Sequence, residues 1–216
     1  MRFSLPLVVI IALVFLAVAG TTFAQSQNIT ESEYWAGIRT GYASARKSFP
    51  RRETEKYEGF TDGTLTLTRI KNSEYQAADK YHIVIETLRD GRITISEKIQ
   101  IEALRYCKES PGEWKTSGCY DSPPPPLEDA KETSYVLQKI KNSTAYIRTA
   151  SFSLKVSGQT EPTKFLTEDT LILNADLSVR ERTIVKSIQA TKKIASRESQ
   201  KFEYGLNFKL IKAPIK

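Results

Sequence analysis

The chain is poor in the residues that most often carry chemistry: one histidine, one methionine and two cysteines in 216 residues. His82, the sole histidine, alternates out of phase with Tyr81, Ile83 and Ile85 and reads as solvent-facing, which argues against a His-activated serine or cysteine nucleophile. A zinc site needs three or four converging Cys, His or carboxylate ligands, and no such spacing occurs. A Gly-rich phosphate loop and a Gly-x-Ser-x-Gly turn are both missing, as is a Cys-x-x-Cys redox pair. Lys and Arg exceed Asp and Glu by 32 to 25, but the excess is dispersed. The densest spots, Arg51-Arg52 and Lys192-Lys193, are each followed by acids, which argues against a nucleic-acid partner, since such binding wants a basic cluster. No cofactor and no metal are expected. Carboxylate pairs do exist, Glu53 with Glu55 and Glu168 with Asp169. A hydrolase built on two carboxylates across a cleft therefore stays open as an alternative.

What is present begins at the N-terminus. Met1-Arg2 precedes an apolar run from Leu5 to Ala19, and small residues lead up to Ala24. That is the n-region, h-region and cleavage zone of a signal peptide. The run falls short of the roughly 20 residues a membrane span needs. Cleavage after Ala24 would leave Gln25 first, with a cut after Ala19 as the alternative. Residues 1–24 read as the signal and 25–216 as one β-rich domain. No later stretch is long and apolar enough to span a membrane, so the mature protein is expected in the periplasm or outside the cell. In that setting an even pair, Cys107 and Cys119 flanking Pro111-Gly112, reads as a disulfide across a hairpin.

One helix is legible. Thr30 and Glu33 fit a capping box, and Tyr34, Ile38, Tyr42, Ala45 and Phe49 recur on one helical face until Pro50 stops it. Beyond Pro50 the period falls to two: Leu65 and Leu67; Tyr81, Ile83 and Ile85; Ile93, Ile95, Ile99 and Ile101; Phe152, Leu154 and Val156; Phe202 through Leu210. Asp62-Gly63 and Asp90-Gly91 separate some of these as hairpin turns. Short connections and clean alternation predict antiparallel meanders, not a parallel sheet. Pro123 to Pro126 break the pattern within a Pro-rich connection near 121–132, and Leu127–Lys141 reads as charged and weakly helical.

The order of these pieces resembles the LolA-like and LppX-like superfamily of exported lipoprotein and lipid carriers. The resemblance runs from the leading amphipathic helix through Glu97-Lys98-Ile99-Gln100-Ile101, Tyr106 and Trp114 to Leu171–Glu181 and Phe202–Asn207. It implies a mainly β (α+β) fold, an antiparallel sheet curled into a half-open β-barrel with the N-terminal helix as lid. It also implies a non-enzymatic carrier or sensor of a lipid or lipoprotein acyl group, with envelope proteins as further partners. On that view Tyr34, Ile38, Tyr42 and Phe49 cover a cavity, and Ile85, Ile95, Ile101, Leu154 and Phe208, chosen by phase, line it. An envelope interaction or scaffold module with a solid core would carry the same pattern. The two readings differ in what lies beneath the helix.

Overall fold

A computed structural model describes residues 25–116, 119, 131–154 and 161–214. Ala24, the rest of the expected signal segment and the Pro123–Pro126 run lie outside these residues. Strand β1 (Gln25–Asn28) and helix α1 (Glu31–Lys47) are followed by β2 (Arg51–Thr61), β3 (Thr64–Ala77), β4 (Lys80–Arg89), β5 (Arg92–Ile101) and β6 (Leu104–Ser110). Then come β7 (Lys131–Ile140), β8 (Ser143–Leu154), β9 (Thr163–Asn174), β10 (Val179–Ile188) and β11 (Ile194–Tyr204). All eleven strands join one curled, unclosed antiparallel sheet in the order β1-β7-β8-β9-β10-β11-β2-β3-β4-β5-β6. The mainly β expectation, a curled antiparallel sheet with one N-terminal helix, is what the chain adopts. No described helix is long and apolar enough to cross a membrane.

The order explains the helix. β1 and β2 are consecutive strands, yet five others lie between them. At about 4.8 Å per strand the gap is about 29 Å, and a 17-residue helix covers about 25 Å of it at 1.5 Å per residue. α1 is thus the bridge, and it packs on β7, β8 and β10. Its start is capped as expected: Glu33 N donates to Thr30 Oγ1 at 3.3 Å, and Thr30 N donates to Glu33 Oε2 at 2.7 Å. Glu31 and Glu33 in the first turn and Arg46 and Lys47 in the last complement the helix dipole.

Residues paired across an antiparallel ladder share a face, so the register assigns every strand position to the helix side or the opposite side. On the helix side a core forms from Tyr34, Ile38, Ala45, Leu171, Leu173, Val179 and Phe202. A smaller core of Ile99, Tyr106 and Ile211 lies on the opposite side of β5 and β6. Between the two cores, β2 and β3 carry ion pairs on both faces. Arg51–Glu53 (2.7 Å) and Lys71–Glu55 (3.0 Å) are on the helix side, with Arg52–Glu74 (2.8 Å) and Lys56–Glu58 (2.6 Å) opposite.

Four expectations need correction. Residues 131–140 form β7, not part of a weak helix: Thr133, Tyr135 and Leu137 alternate toward the helix side, paired to Ala150, Arg148 and Tyr146. Sheet pairing overrides a charged, helix-permissive composition. α1 ends at Lys47 with Ser48 as its cap, so Phe49 lies outside the helical stripe, as the residue before a proline should. The final strand stops at Tyr204. Gly205 takes φ +70°, and residues 206–213 run on without strand pairing. Lastly, the isoleucines of β5 do not continue the face of Ile83 and Ile85. Asp90-Gly91 is a two-residue turn with both residues at positive φ, and it pairs Arg89 with Arg92 and Ile85 with Ser96. Such a turn sets odd positions of one strand opposite even positions of the next.

Candidate ligand-binding surface

The helix meets the sheet closely because of two glycines. A Cβ on Gly41 would lie 2.6 Å from Leu173 Cδ2 and 3.1 Å from Val179 Cγ2, and one on Gly37 would overlap the Tyr146 ring. Tyr34 (0 % exposed) and Ile38 (8 %) fill the space below, against Leu171 and Leu173. Tyr42 stands edge-on to Phe202, ring centres 5.9 Å apart, and donates its hydroxyl to Gln200 Oε1 at 2.6 Å. Under the part of the sheet that α1 covers, the space is packed.

A polar lock runs through this packed zone. Asp169, on the helix side of β9, accepts from Arg182 Nε at 2.9 Å, from Arg182 Nη2 at 2.6 Å and from the Tyr34 hydroxyl at 2.9 Å. Burial, with the Asp169 carboxylate beside it, pushes the Tyr34 phenol well up, so it stays a proton donor. For Arg182, burial works against the charge, but the hydrogen bonds and attraction of Asp169 outweigh it and hold the guanidinium firmly charged. Glu198 on β11 is solvent-exposed, yet desolvation beside this zone raises it, partly offset by Arg182. Arg148, opposite Asp169 in the ladder, lies 5.7 Å from the Trp35 ring centre.

The register divides the nine residues expected around a cavity. Tyr34, Ile38 and Tyr42 belong to the packed core beneath α1. Phe49 stacks 4.7 Å from the Arg51 guanidinium, whose other side lies 4.1 Å from the Tyr75 ring. Ile85 lies on the helix side of β4 with Tyr81 and Ile83, all half-buried. Leu154 shares that side but ends β8, paired with Thr163 and 39 % exposed. Ile95 and Ile101 face the opposite side, since Ile95 pairs with Glu86 and Ile101 with Lys80. Phe208 is also on the opposite side, 5.4 Å beneath the Arg52 guanidinium. The nine therefore do not line one surface. Beyond the footprint of α1 the helix side of β3 and β4 carries Tyr75, Tyr81, Ile83 and Ile85, with Lys71 and Ser73 opposite the two isoleucines and Leu67 further along β3. Tyr75 and Tyr81 lie 5.6 Å apart, and the Tyr81 hydroxyl donates to Gln100 Oε1 at 2.7 Å. Burial raises the Tyr75 phenol to about 12.

The other sequence candidates are engaged elsewhere. Glu53 and Glu55 are in the ion pairs with Arg51 and Lys71, and Glu168 lies on the face opposite Asp169. His82 Nε2 lies 3.3 Å from Glu97 Oε2, and Lys108 Nζ is 2.7 Å from the other oxygen. Partial burial raises the Glu97 carboxyl, but those two partners outweigh it and hold it below its ordinary value. Among the described residues no group of three His, Cys, Asp or Glu side chains is placed to hold a metal. Cys107 and Cys119 are disulfide-bonded, with Cα atoms 5.6 Å apart. The Gly37-x-x-x-Gly41 spacing and the buried Asp169–Arg182 pair were the features sequence reasoning passed over. The glycine pair on the apolar face of α1 was the available signal. No family model matches the chain, and no curated protein matches it.

Proposed function

We propose that the protein is an exported, non-enzymatic binding protein that holds a hydrophobic ligand, a lipid or acyl chain, on the helix-side face of β3 and β4. One observation carries the reading: the helix covers only part of the sheet. α1 packs on β7, β8 and β10, while Tyr75, Tyr81, Ile83 and Ile85 share the same face outside its footprint. An acyl chain is held mainly by buried apolar area, roughly 25 cal/mol per Å². A half-covered strip of this kind binds without a sequence motif. The signal-like N-terminus, the disulfide and the resemblance to LolA-like and LppX-like carriers point the same way.

The packed core beneath α1 favours a second reading, an envelope interaction module that carries no ligand. The carboxylate hydrolase has less in its favour, since Glu53, Glu55 and Asp169 are tied up in ion pairs. Native mass spectrometry of the mature protein purified from its source, with uptake of a fluorescent fatty acid, separates these. The carrier reading expects co-purified lipid, and uptake that Ile85→Lys reduces at least about fivefold while the fold is retained. If the parent takes up nothing, the interaction-module reading stands instead; if Ile85→Lys takes up as much as the parent, the β3–β4 strip is not where the ligand sits.

A further inference from the structure

One end of the sheet presents aliphatic side chains and cations to solvent together. The β4–β5 hairpin reaches past its neighbour there. The last β5–β6 pair is Ile95 with Ser110, and no described strand pairs with the outer edge of Arg92, Ile93 and Thr94. Within the hairpin, Leu88 pairs with Ile93 on the side away from α1, and Arg89 pairs with Arg92 on the helix side. Ile93 is 69 % exposed and Leu88 43 %, while Leu65, in the adjacent β2–β3 hairpin, is 48 % exposed. Like charges set directly opposite each other across a ladder are destabilising, and among the described residues neither arginine has an ion-pair partner. The β10–β11 turn lies beside the β2–β3 turn, with Lys193 Nζ donating to Asp62 O at 3.4 Å. Cations outnumber acids at these three turns: Arg89, Arg92, Lys192 and Lys193 against Asp62 and Asp90.

We propose that this end of the sheet docks on an anionic membrane surface. Leu65, Leu88 and Ile93 enter the boundary between headgroups and acyl chains, and Arg89 and Arg92 hold lipid phosphates. The partner follows from the chemistry. Exposed aliphatic side chains need an apolar phase to enter, and the two guanidiniums need anions beside that phase. An anionic bilayer supplies both at neighbouring depths. A phosphate between Arg89 and Arg92 turns their repulsion into a shared contact, because a guanidinium matches phosphate oxygens with paired hydrogen bonds. A nucleic acid would leave the Leu88–Ile93 pair unused. The docking does not depend on a carried ligand, since none of these residues belongs to the strip of Tyr75, Tyr81, Ile83 and Ile85.

The test is flotation of the mature protein with vesicles of mixed phosphatidylglycerol and phosphatidylcholine, and with vesicles of phosphatidylcholine alone. The parent should float with the anionic vesicles, and high salt should weaken the binding. Arg89→Gln with Arg92→Gln should weaken it about thirtyfold, the factor for two cations beside an anionic surface. Leu88→Ser with Ile93→Ser should weaken it at least about tenfold and leave its salt dependence unchanged. Ile93→Ser alone, at the most exposed of these positions, should show the same direction if the double change lowers Tm. Lys139→Gln with Lys141→Gln removes the same charge from the opposite end of the sheet and should bind as the parent does. The proposal fails if the parent floats equally with both vesicles or with neither, if the arginine variant floats as the parent does, or if the lysine variant loses as much. It also fails if the parent dimerises and Ile93→Ser abolishes the dimer, which would assign the hairpin tip to a second copy.

Discussion

Replacing Gly41 by alanine tests the closeness of α1 to the sheet. On an exposed helix the change stabilises by up to about 1 kcal/mol, because alanine is the better helix former. Here the new methyl would sit 2.6 Å from Leu173 Cδ2 and 3.1 Å from Val179 Cγ2, and both neighbours are essentially fully buried, at 1 % and 0 % exposure. Neither side chain has free space to move into, so the helix must rise by close to an ångström. Overpacking of this kind costs about 1–3 kcal/mol. Lifting the helix also loosens Tyr34 and Ile38, which places the cost toward the upper end. The net expectation is a loss of about 1–2 kcal/mol, which lowers Tm by roughly 2–8 °C in a domain of this size. Urea and thermal unfolding of Gly41→Ala beside Ala43→Gly, on the exposed side of the same helix, separate packing from propensity. Both should destabilise, although propensity alone gives them opposite signs. Leu173→Ala should cost less in the Gly41→Ala background than in the parent, since it makes room for the methyl. A Gly41→Ala protein as stable as the parent, or more so, would refute the close packing of α1.

Asp169→Asn should cost about 3–5 kcal/mol in urea unfolding by leaving the Arg182 guanidinium without its charged partner; replacing Asp169 and Arg182 together by apolar residues should cost less than the single change. Glu198 has a raised pKa in the folded state, so the folded protein holds that proton more tightly than the unfolded chain, and its charge destabilises as pH rises through and above the ordinary glutamate range. Glu198→Gln should therefore raise Tm at neutral pH and leave it unchanged in acid, as a pH series of melting curves would show. Replacing Cys107 and Cys119 by serine should cost about 3 kcal/mol, and thiol labelling of the folded, unreduced parent should find no reactive cysteine.

Local pattern made the elements legible, while pairing decided the faces. Thr30, Glu33 and the Tyr34–Ile38–Tyr42 stripe announced α1, and Asp62-Gly63 and Asp90-Gly91 marked two real hairpins. The candidate site was misassembled because alternation within a strand says nothing about which side of the sheet its apolar residues occupy. Between β3 and β4 a register shift near Tyr75 and Ala77 pairs Tyr75 with Tyr81 and keeps odd positions on one face. The regular turn at Asp90-Gly91 moves them to opposite faces. The Asp90-Gly91 turn alone sets Ile85 and Ile95 on opposite faces, and what distinguishes it from the β3–β4 connection is one unpaired residue. β7 was hidden by the charges that Lys131, Glu132 and Lys139 bring to the two ends of its sequence. The tail was misread because Leu206, Phe208 and Leu210 continue the alternation of β11 past the point where Gly205 turns the backbone away.

The placement of β2 beside β11 also bears on how the chain reaches its native state. Apart from the β1–β7 pair, every other strand pair joins neighbours in sequence, as hairpins that can close by themselves on a microsecond scale. The seam instead sets Arg51 against Tyr204 and Gly59 against Ser196, bringing together segments from opposite ends of the domain. α1 lies across β7 to β10, so it has no surface to dock on until those later strands exist. Folding should thus proceed as two independent meanders, β2–β6 and β7–β11, followed by one rate-limiting closure of the seam. The cost of that long loop falls on this step. Substitutions at the Arg51–Tyr204 end of the seam should slow refolding, whereas changes within the β4–β5 hairpin should mainly alter the rate of unfolding.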